Sequence, residues 1–251
     1  MLLAHKTAVI YGGGGSIGGA VARAFAREGA HVVVSGRTRS ALDAVADDIR
    51  ASGGTADTDI VDALDEAAVD THADVVVDRT GSYDVCFCAI NHDDVQGTPL
   101  VEMTWEDFVR PVEIGLRSTF ITAKAAGRHM KRQGSGVILS FGGRGDPLKG
   151  YHLGGLQVGL TAIDVLCRQL ASELGPHGIR VVVLQTGGIT EAIPDDVEFK
   201  AAIVEQIDGL TMTGKGATLD DVGNAAAFAA SDHARAITAT ALNISAGAIL
   251  D

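Results

Sequence analysis

The amino-acid sequence predicts an α/β fold in which helices cover both faces of a doubly wound, mostly parallel sheet of seven strands. Short runs rich in β-branched residues alternate along the 251-residue chain with segments of helical periodicity, and the connections between them are short. A string of glycines joins the first predicted strand to the first predicted helix. No Pro/Ser-rich linker or repeat divides the chain, so we expect one domain over residues 1–251.

The predicted elements follow one another in regular strand–helix alternation. The strands are expected at residues 7–11, 31–35, 56–60, 84–89, 136–141, 179–185 and 241–245. The helices between them are expected at residues 16–28, 40–51, 64–79, 104–131, 153–174 and 219–229. Alternation of this kind implies right-handed crossovers between parallel strands. Residues 191–217 are the least regular part, with Pro194 and several glycines, and predict a mobile lid within the domain.

Composition and charge exclude several classes of partner. The formal net charge is −12 and no basic stripe is present, so neither nucleic acid nor an anionic membrane is an expected partner. The N-terminus reads as a strand and not as a signal peptide, and no run reaches about 18 apolar residues. Cys86, Cys88 and Cys167 are predicted to be buried, reduced thiols of a cytoplasmic protein, and no ligand spacing indicates a metal site.

The glycine string has the position that a dinucleotide-binding turn requires. Residues 12–19 read GGGGSIGG and lie directly between a strand and a helix near the N-terminus. Glycines permit a tight turn and a close approach of the backbone to a pyrophosphate, and the helix N-terminus adds partial positive charge. This context predicts a Rossmann-type nucleotide site. Its expected pyrophosphate contacts come from Gly12, Gly14, Gly15, Ser16, Ile17 and Gly18.

Three stretches resemble the short-chain dehydrogenase/reductase family. The turn resembles the family pattern T-G-x-x-x-G-x-G, with Tyr11 in place of Thr and Ser16 in place of the middle Gly. Residues 171–184 (ASELGPHGIRVVVL) resemble A-x-E-L-x-P-x-G-I-R-V, and residues 226–247 resemble the family's F-L-A-S-D ending. The resemblance covers almost the whole chain. It implies a nicotinamide-dependent oxidoreductase that assembles as a homo-oligomer, most readily a tetramer through its fourth and fifth helices.

The end of the second strand favours NADP(H) over NAD(H). An NAD-selective site usually places a carboxylate here for the ribose 2′-hydroxyl, but this sequence has Gly36 followed by Arg37 and Thr38. A guanidinium suits a 2′-phosphate, although a solvent-exposed arginine at a strand end is the competing interpretation. By resemblance, Asp62 is the acid that lies against the adenine, or alternatively a helix N-cap. The same resemblance adds Ala63, Ala89 and Ile90 to the cofactor contacts.

The four positions that correspond to the family's catalytic Asn, Ser, Tyr and Lys carry other residues. By resemblance, Tyr is the general acid/base, Lys lowers its pKa, Ser orients the substrate oxygen and Asn completes a proton relay. Aligned on the stretch at residues 166–171, these positions fall on Gly115, Gly143, Leu156 and Leu160, respectively. Neither glycine nor leucine has a titratable group or a hydroxyl in its side chain, so neither can exchange a proton with a substrate. The sequence therefore predicts an atypical active site without the usual tetrad.

Other polar and titratable side chains are expected near the same cleft. Tyr151 precedes Leu156 by five residues, but no lysine follows it at the family's spacings, so a tyrosine that packs over the cleft is the favoured interpretation. His92, Asp93 and Asp94 follow the fourth strand, at the edge where ligands bind in such folds. Two functions stay open: an NADP(H)-dependent oxidoreductase of unknown substrate, or a catalytically inactive nucleotide-binding or scaffold protein.

Overall fold

The computed structural model describes residues 1–143, 151–195, 197 and 200–250 and confirms the predicted fold class. Seven strands form one sheet in the order β3-β2-β1-β4-β5-β6-β7, and every neighbouring pair is parallel. The strands are Thr7–Tyr11 (β1), His31–Gly36 (β2), Thr55–Ile60 (β3), Val85–Cys88 (β4), Gly136–Gly142 (β5), Ile179–Thr186 (β6) and Thr240–Ile244 (β7).

In the part of the chain that the structure describes, seven α-helices connect or flank these strands. They are Ser16–Arg27 (α1), Arg39–Ala51 (α2), Glu66–Thr80 (α3), Trp105–Gln133 (α4), Gly155–Leu174 (α5), Lys200–Leu210 (α6) and Leu219–Ala230 (α7). Six of them agree with predicted helices to within two residues at each end. Helix α6 was not expected, because it lies in the stretch at 191–217 that the sequence marked as irregular. Residues 196, 198 and 199 of that stretch lie outside the described residues.

Two hydrophobic layers hold the helices on the sheet. One layer contains the buried faces of α1, α2 and α7, and the other contains those of α3, α4 and α5. Successive side chains of a strand point to opposite faces of the sheet. In β1, Ala8 and Ile10 therefore pack in the first layer, and Val9 and Tyr11 pack in the second. Among the described residues, no helix is long and apolar enough to cross a membrane.

The strand order reverses between β1 and β4. Strand β1 pairs with β2 on one side and with β4 on the other, so the connections after these strands run in opposite directions. A crevice opens at the carboxyl ends of the strands at such a switch point, and ligands bind there in open parallel sheets. The glycine turn that follows β1 lies at this crevice.

A chain of polar side chains runs from the buried Tyr11 of β1 to the partly exposed Arg79 of α3, on the face of the sheet that α3 covers. The Tyr11 hydroxyl lies 3.1 Å from Nδ1 of His72, and Nε2 of His72 lies 3.1 Å from Oδ2 of Asp59. Arg79 donates to the same Asp59 oxygen at 2.7 Å. The hydrogen bond from His72 and the contact with Arg79 hold the pKa of Asp59 well below its usual range. Burial raises the pKa of the Tyr11 phenol, so this hydroxyl stays protonated.

Candidate functional site

The glycine turn is fixed by close contacts between backbones. The amides of Gly12 and Gly13 donate to the carbonyl of Ser35 at 2.9 and 3.1 Å, which fastens the turn to β2. Gly12 has a φ of 79°, and a Cβ added there would overlap the Ala89 carbonyl oxygen and lie 3.2 Å from the Ile90 amide nitrogen. The turn therefore brings the end of β1 against the end of β4, as the predicted cofactor contacts require.

The start of α1 has donors that no side chain caps. Gly15 is the N-cap residue, it supplies no side-chain hydrogen bond, and the first turn contains no acidic residue. Gly18 packs on the turn so closely that an added Cβ would lie 2.8 Å from the Gly12 carbonyl carbon. Since the first amides of a helix have no partner within the helix, the amides of Ser16, Ile17 and Gly18 are suited to an anionic group. These features fit the pyrophosphate of a dinucleotide.

The end of β2 presents an unengaged cation. Arg37 is exposed, and no hydrogen bond or ion pair between described residues includes its guanidinium. Arg39, by contrast, donates to the Thr58 hydroxyl at 3.0 Å and lies 3.8 Å from a carboxylate oxygen of Asp43. Thr38 is the exposed N-cap residue of α2 and makes no side-chain capping bond. Arg37 is thus the side chain of this group that is left available to an external anion.

Asp62 does not cap α3, so the alternative interpretation of this residue is wrong. The N-cap is Asp65, whose side chain accepts a hydrogen bond from the Ala68 amide at 3.0 Å. One Asp62 oxygen accepts from the Leu64 amide, at 3.0 Å, within the loop after β3. Its side chain is exposed and Ala63 beside it is buried, so the adenine-side assignment of the pair stays a prediction.

The four positions aligned with the family's catalytic residues lie around the same crevice. Gly143 directly follows β5, Gly115 lies on α4, and Leu156 and Leu160 lie on successive turns of α5. Both leucines are half-buried and belong to neither hydrophobic layer. A Cβ on Gly143 would lie 3.1 Å from Cγ of Gln185, a buried side chain that the sequence did not single out. Leu156 and Leu160 therefore place apolar side chains at the two positions that the sequence alignment assigned to the family's Tyr and Lys.

Helix α5 reaches this position because its first turns lie directly on α4. A Cβ on Gly155 would lie 2.8 Å from the Phe108 carbonyl carbon, and one on Gly159 would lie 3.2 Å from the Pro111 carbonyl oxygen. Glycines at these two positions, four residues apart, place both on the same helix face. The close approach of the two backbones therefore depends on this glycine pair.

Tyr151 lies beside α6. Its side chain is half-buried, and Gln206 of α6 is the polar side chain beside its hydroxyl. Burial raises the pKa of the Tyr151 phenol, and Gln206 partly offsets this. A raised pKa is opposite to the effect of a neighbouring lysine. The described residues contain no group of three or more His, Cys, Asp or Glu side chains arranged to hold a metal ion.

The fold and the glycine turn define a dinucleotide-binding α/β protein, and comparison with known proteins narrows this class. Residues 13–248 match the family model described as enoyl-(acyl carrier protein) reductase. Together with the relatives below, this match shows that the chain belongs to the short-chain dehydrogenase/reductase family. The chain is therefore classed with oxidoreductases that use a nicotinamide dinucleotide.

Curated relatives match over nearly their full length but differ in substrate. Momilactone A synthase of Oryza sativa subsp. japonica is 31% identical, covering 98% of this chain and 90% of its own. L-rhamnose 1-dehydrogenase (NAD(P)(+)) of Azotobacter vinelandii is 30% identical over 98% of both chains. The solved structure of a 7α-hydroxysteroid dehydrogenase in complex with NADH and a 7-oxo bile acid has a TM-score of 0.87 and 28% identity. It covers 99% of this chain and 96% of that chain.

The close packing of the glycine turn leads to a first testable prediction. Replacement of Gly18 by Ala places a methyl group against the Gly12 backbone, which cannot move without breaking its bond to Ser35. We expect the free energy of unfolding, measured by urea denaturation, to fall by about 1–3 kcal/mol. Gly209→Ala in α6 is the control, because nothing lies within 4 Å of its added Cβ, and we expect no loss of stability there since alanine favours the helix by up to about 1 kcal/mol. Equal effects of the two substitutions would contradict this account of the turn.

Proposed function

We propose that this chain is an NADP(H)-dependent oxidoreductase with an atypical active site, acting on a substrate that is still unknown. The observation that carries the proposal is the pairing of an uncapped α1 N-terminus with an unengaged arginine at the end of β2. The α1 amides would hold the pyrophosphate, and Arg37 would hold the 2′-phosphate. When bound, the cofactor supplies a hydride donor or acceptor. The substrate is not carried over from the relatives, since their names include a steroid and a sugar.

The choice of NADP(H) rests on charge at one position. Gly36 offers no carboxylate to the ribose hydroxyls, and its Cβ position would lie 3.3 Å from Leu42, so a larger acid would crowd the core. Arg37 is free to make forked, charge-assisted hydrogen bonds with a phosphate. NAD(H) has no group that would satisfy this guanidinium. The 7α-hydroxysteroid dehydrogenase structure contains NADH, and the name of the L-rhamnose 1-dehydrogenase gives NAD(P)(+), so the relatives differ in the cofactor that their names state.

The second prediction concerns this cofactor preference. We expect tighter binding of NADPH than of NADH, and loss of about 1.5–3 kcal/mol of NADPH binding in Arg37→Ala, because a charge-assisted contact disappears. NADH affinity should hardly change. Isothermal titration calorimetry with both cofactors measures this, and Arg235→Ala, an exposed arginine beyond α7, is the control for charge alone. Tighter NADH binding by the unmodified protein would overturn the NADP(H) assignment.

A nucleotide-binding protein without catalysis is the second candidate, and the leucines of α5 favour it. Leu156 and Leu160 present apolar side chains at the positions aligned with the family's Tyr and Lys. They can neither exchange a proton with a substrate oxygen nor hold the nicotinamide ribose by charge. Tight NADPH binding without turnover of any carbonyl compound would select this candidate over the oxidoreductase.

The third prediction compares rates. Because Leu156 and Leu160 supply neither a general acid nor a charge on the nicotinamide ribose, we expect reduction of simple ketones with NADPH near pH 7 to be slower than in relatives with the Tyr–Lys pair, by up to about 10²–10⁴-fold. The combined substitutions Leu156→Tyr, Leu160→Lys and Gly143→Ser should recover part of this rate. Half-burial of Leu160 lets a lysine ammonium reach water. The control Leu156→Phe with Leu160→Met introduces side chains of similar size that have no titratable group, and it should recover none of the ketone-reduction rate.

Robust reduction of simple ketones by the unmodified protein would contradict the prediction of an atypical, slow site. If Tyr151→Phe then abolished this ketone reduction, Tyr151 would be identified as a relocated proton donor.

The proposal includes residues 191–217 as a lid over the site, since none of the residues of α6, which lies in this stretch, is fully buried. A cytoplasmic location is proposed from three buried, free cysteines, because thiols persist in a reducing compartment.

The fourth prediction concerns assembly, for which we propose a homotetramer. The outer surfaces of α4 and α5 expose Phe120, Val158 and Val165, three apolar side chains on the helices that the family resemblance assigns to subunit contacts. Light scattering should give about four times the chain mass of 25.8 kDa. We expect Val165→Asp to lower this mass, whereas Val75→Asp on α3 should not. A monomer mass for the unmodified protein at micromolar concentration would refute the assembly.

A further inference from the structure

The loop after β4 is held in one shape that turns His92 towards the body of the protein. The Asn91 side chain accepts a hydrogen bond from the Asp93 amide at 2.7 Å, and Asp93 has a φ of 53°. This is an Asx-turn, which reverses the chain within three residues. Asp93 lies 3.8 Å from Arg110 of α4, and Gln96 donates to Asp94 at 2.7 Å. The loop is thus braced on both sides of His92.

The His92 ring occupies the space that a side chain at position 115 would need. A Cβ added to Gly115 would lie 3.1 Å from both Cε1 and Nε2 of the imidazole and 3.1 Å from Cδ1 of Ile163. Contacts this short would force the ring to move. Gly115 is the position that aligns with the family's relay asparagine. The His92 ring can therefore pack at this place because position 115 is a glycine.

Ile163 connects the imidazole to the catalytic end of the crevice. A Cβ on Gly142 would lie 3.3 Å from Cγ2 of Ile163 and 3.7 Å from the Leu160 carbonyl oxygen. Different branches of the Ile163 side chain thus lie near Gly115, where the His92 ring packs, and near Gly142 at the end of β5, where the Leu160 carbonyl also lies. The half-buried imidazole is in this way linked through one side chain to the end of β5 and the turn of Leu160.

The surroundings of the ring keep it neutral near pH 7. Burial lowers the pKa of His92, and Asp94 on its own loop partly opposes this. The helix residues nearest to the ring at this place, Gly115 of α4 and Ile163 of α5, are uncharged. Arg110 of α4 is engaged by carboxylates, and Asp164 of α5 is paired with Arg168 at 2.8 Å. A neutral imidazole at the edge of a cleft is able to accept a proton.

We propose that His92 is the proton acceptor and donor of the reaction, in place of the tyrosine that the family uses. This inference rests on the proposed oxidoreductase function. In the oxidative direction, the substrate hydroxyl loses its proton to the imidazole as the carbinol carbon loses a hydride, with its two electrons, to NADP⁺. The O–H and C–H bonds break, a carbonyl bond forms, and the imidazolium releases the proton to water. In reduction, the imidazolium protonates the carbonyl oxygen that the hydride has made negative.

The first test needs no turnover. NMR titration of the His92 ring protons, assigned by their loss in His92→Gln, should give a pKa below the usual value of about 6.5. Saturation with NADP⁺ alone should shift these signals, because the nicotinamide would lie across the same crevice. The exposed His177 is the internal reference and should not respond. An ordinary His92 pKa, or signals unchanged by bound NADP⁺, would overturn the proposal.

The second test measures oxidation of the secondary alcohol that the protein turns over fastest with NADP⁺. We expect kcat/KM to fall as the pH drops below the His92 pKa, since only the neutral ring accepts a proton. His92→Gln should lose this pH dependence and about 10²–10⁴-fold in kcat/KM, with NADPH affinity unchanged. His177→Gln is the matched control, and it should retain the activity and the profile.

Gly115→Ala tests whether the position of the imidazole matters, because the added methyl group would displace the His92 ring and leave its chemistry unchanged. We expect up to about a 100-fold loss of kcat/KM, with the helix intact by circular dichroism. Full activity and an unchanged pH profile in His92→Gln would overturn the role of His92 while the oxidoreductase function stands. NADPH binding without any turnover would overturn both proposals, and absence of NADPH binding would refute the proposed function at its first step.

Discussion

The close approach of the Gly12 backbone to the end of β4 is the constraint on which the candidate site depends. Two amides of the turn share the Ser35 carbonyl, so the turn is fastened to β2 while it touches Ala89 after β4. With both neighbours of β1 engaged, the direction of α1 is set and its first amides are aimed at the crevice. Any side chain at the turn's tightest positions would separate the strands, because a methyl group has no space there.

The same principle of backbone contact shapes the opposite wall of the crevice. Gly155 and Gly159 let α5 lie against α4, and Leu156 and Leu160 directly follow these two glycines in the helix. In both places glycine is used to bring rigid elements together, so the crevice is formed by main chain more than by side chains. The candidate proton-transfer group then comes from a loop, where a hydrogen-bonded turn and an ion pair position it.

The regular parts of the fold could be predicted because their signals are local. Short runs rich in β-branched residues predict the strands and the glycine string predicts the turn, and the structure confirms both. Helix α6 could not be predicted, because its residues bury no strong apolar face and therefore show no clear periodicity. The N-cap of α3 could not be predicted either, because Asp62 and Asp65 are both suitable N-cap residues and the sequence does not distinguish them. The contact of His92 with Gly115 joins residues far apart in sequence, so no local pattern could reveal it.

The polar chain that begins at Tyr11 gives the nucleotide end a different kind of rigidity. Tyr11 immediately precedes Gly12, and its hydroxyl leads through His72 to Asp59 and Arg79 across three strands. A phenylalanine at this position would fill the same volume but would leave a ring nitrogen of His72 without its buried partner. Tyr11, the residue before the glycine turn, therefore fits its place by the hydrogen bond of its hydroxyl as well as by its size. Its orientation ties the first strand, through the interior, to a charge pair at the far edge of the sheet.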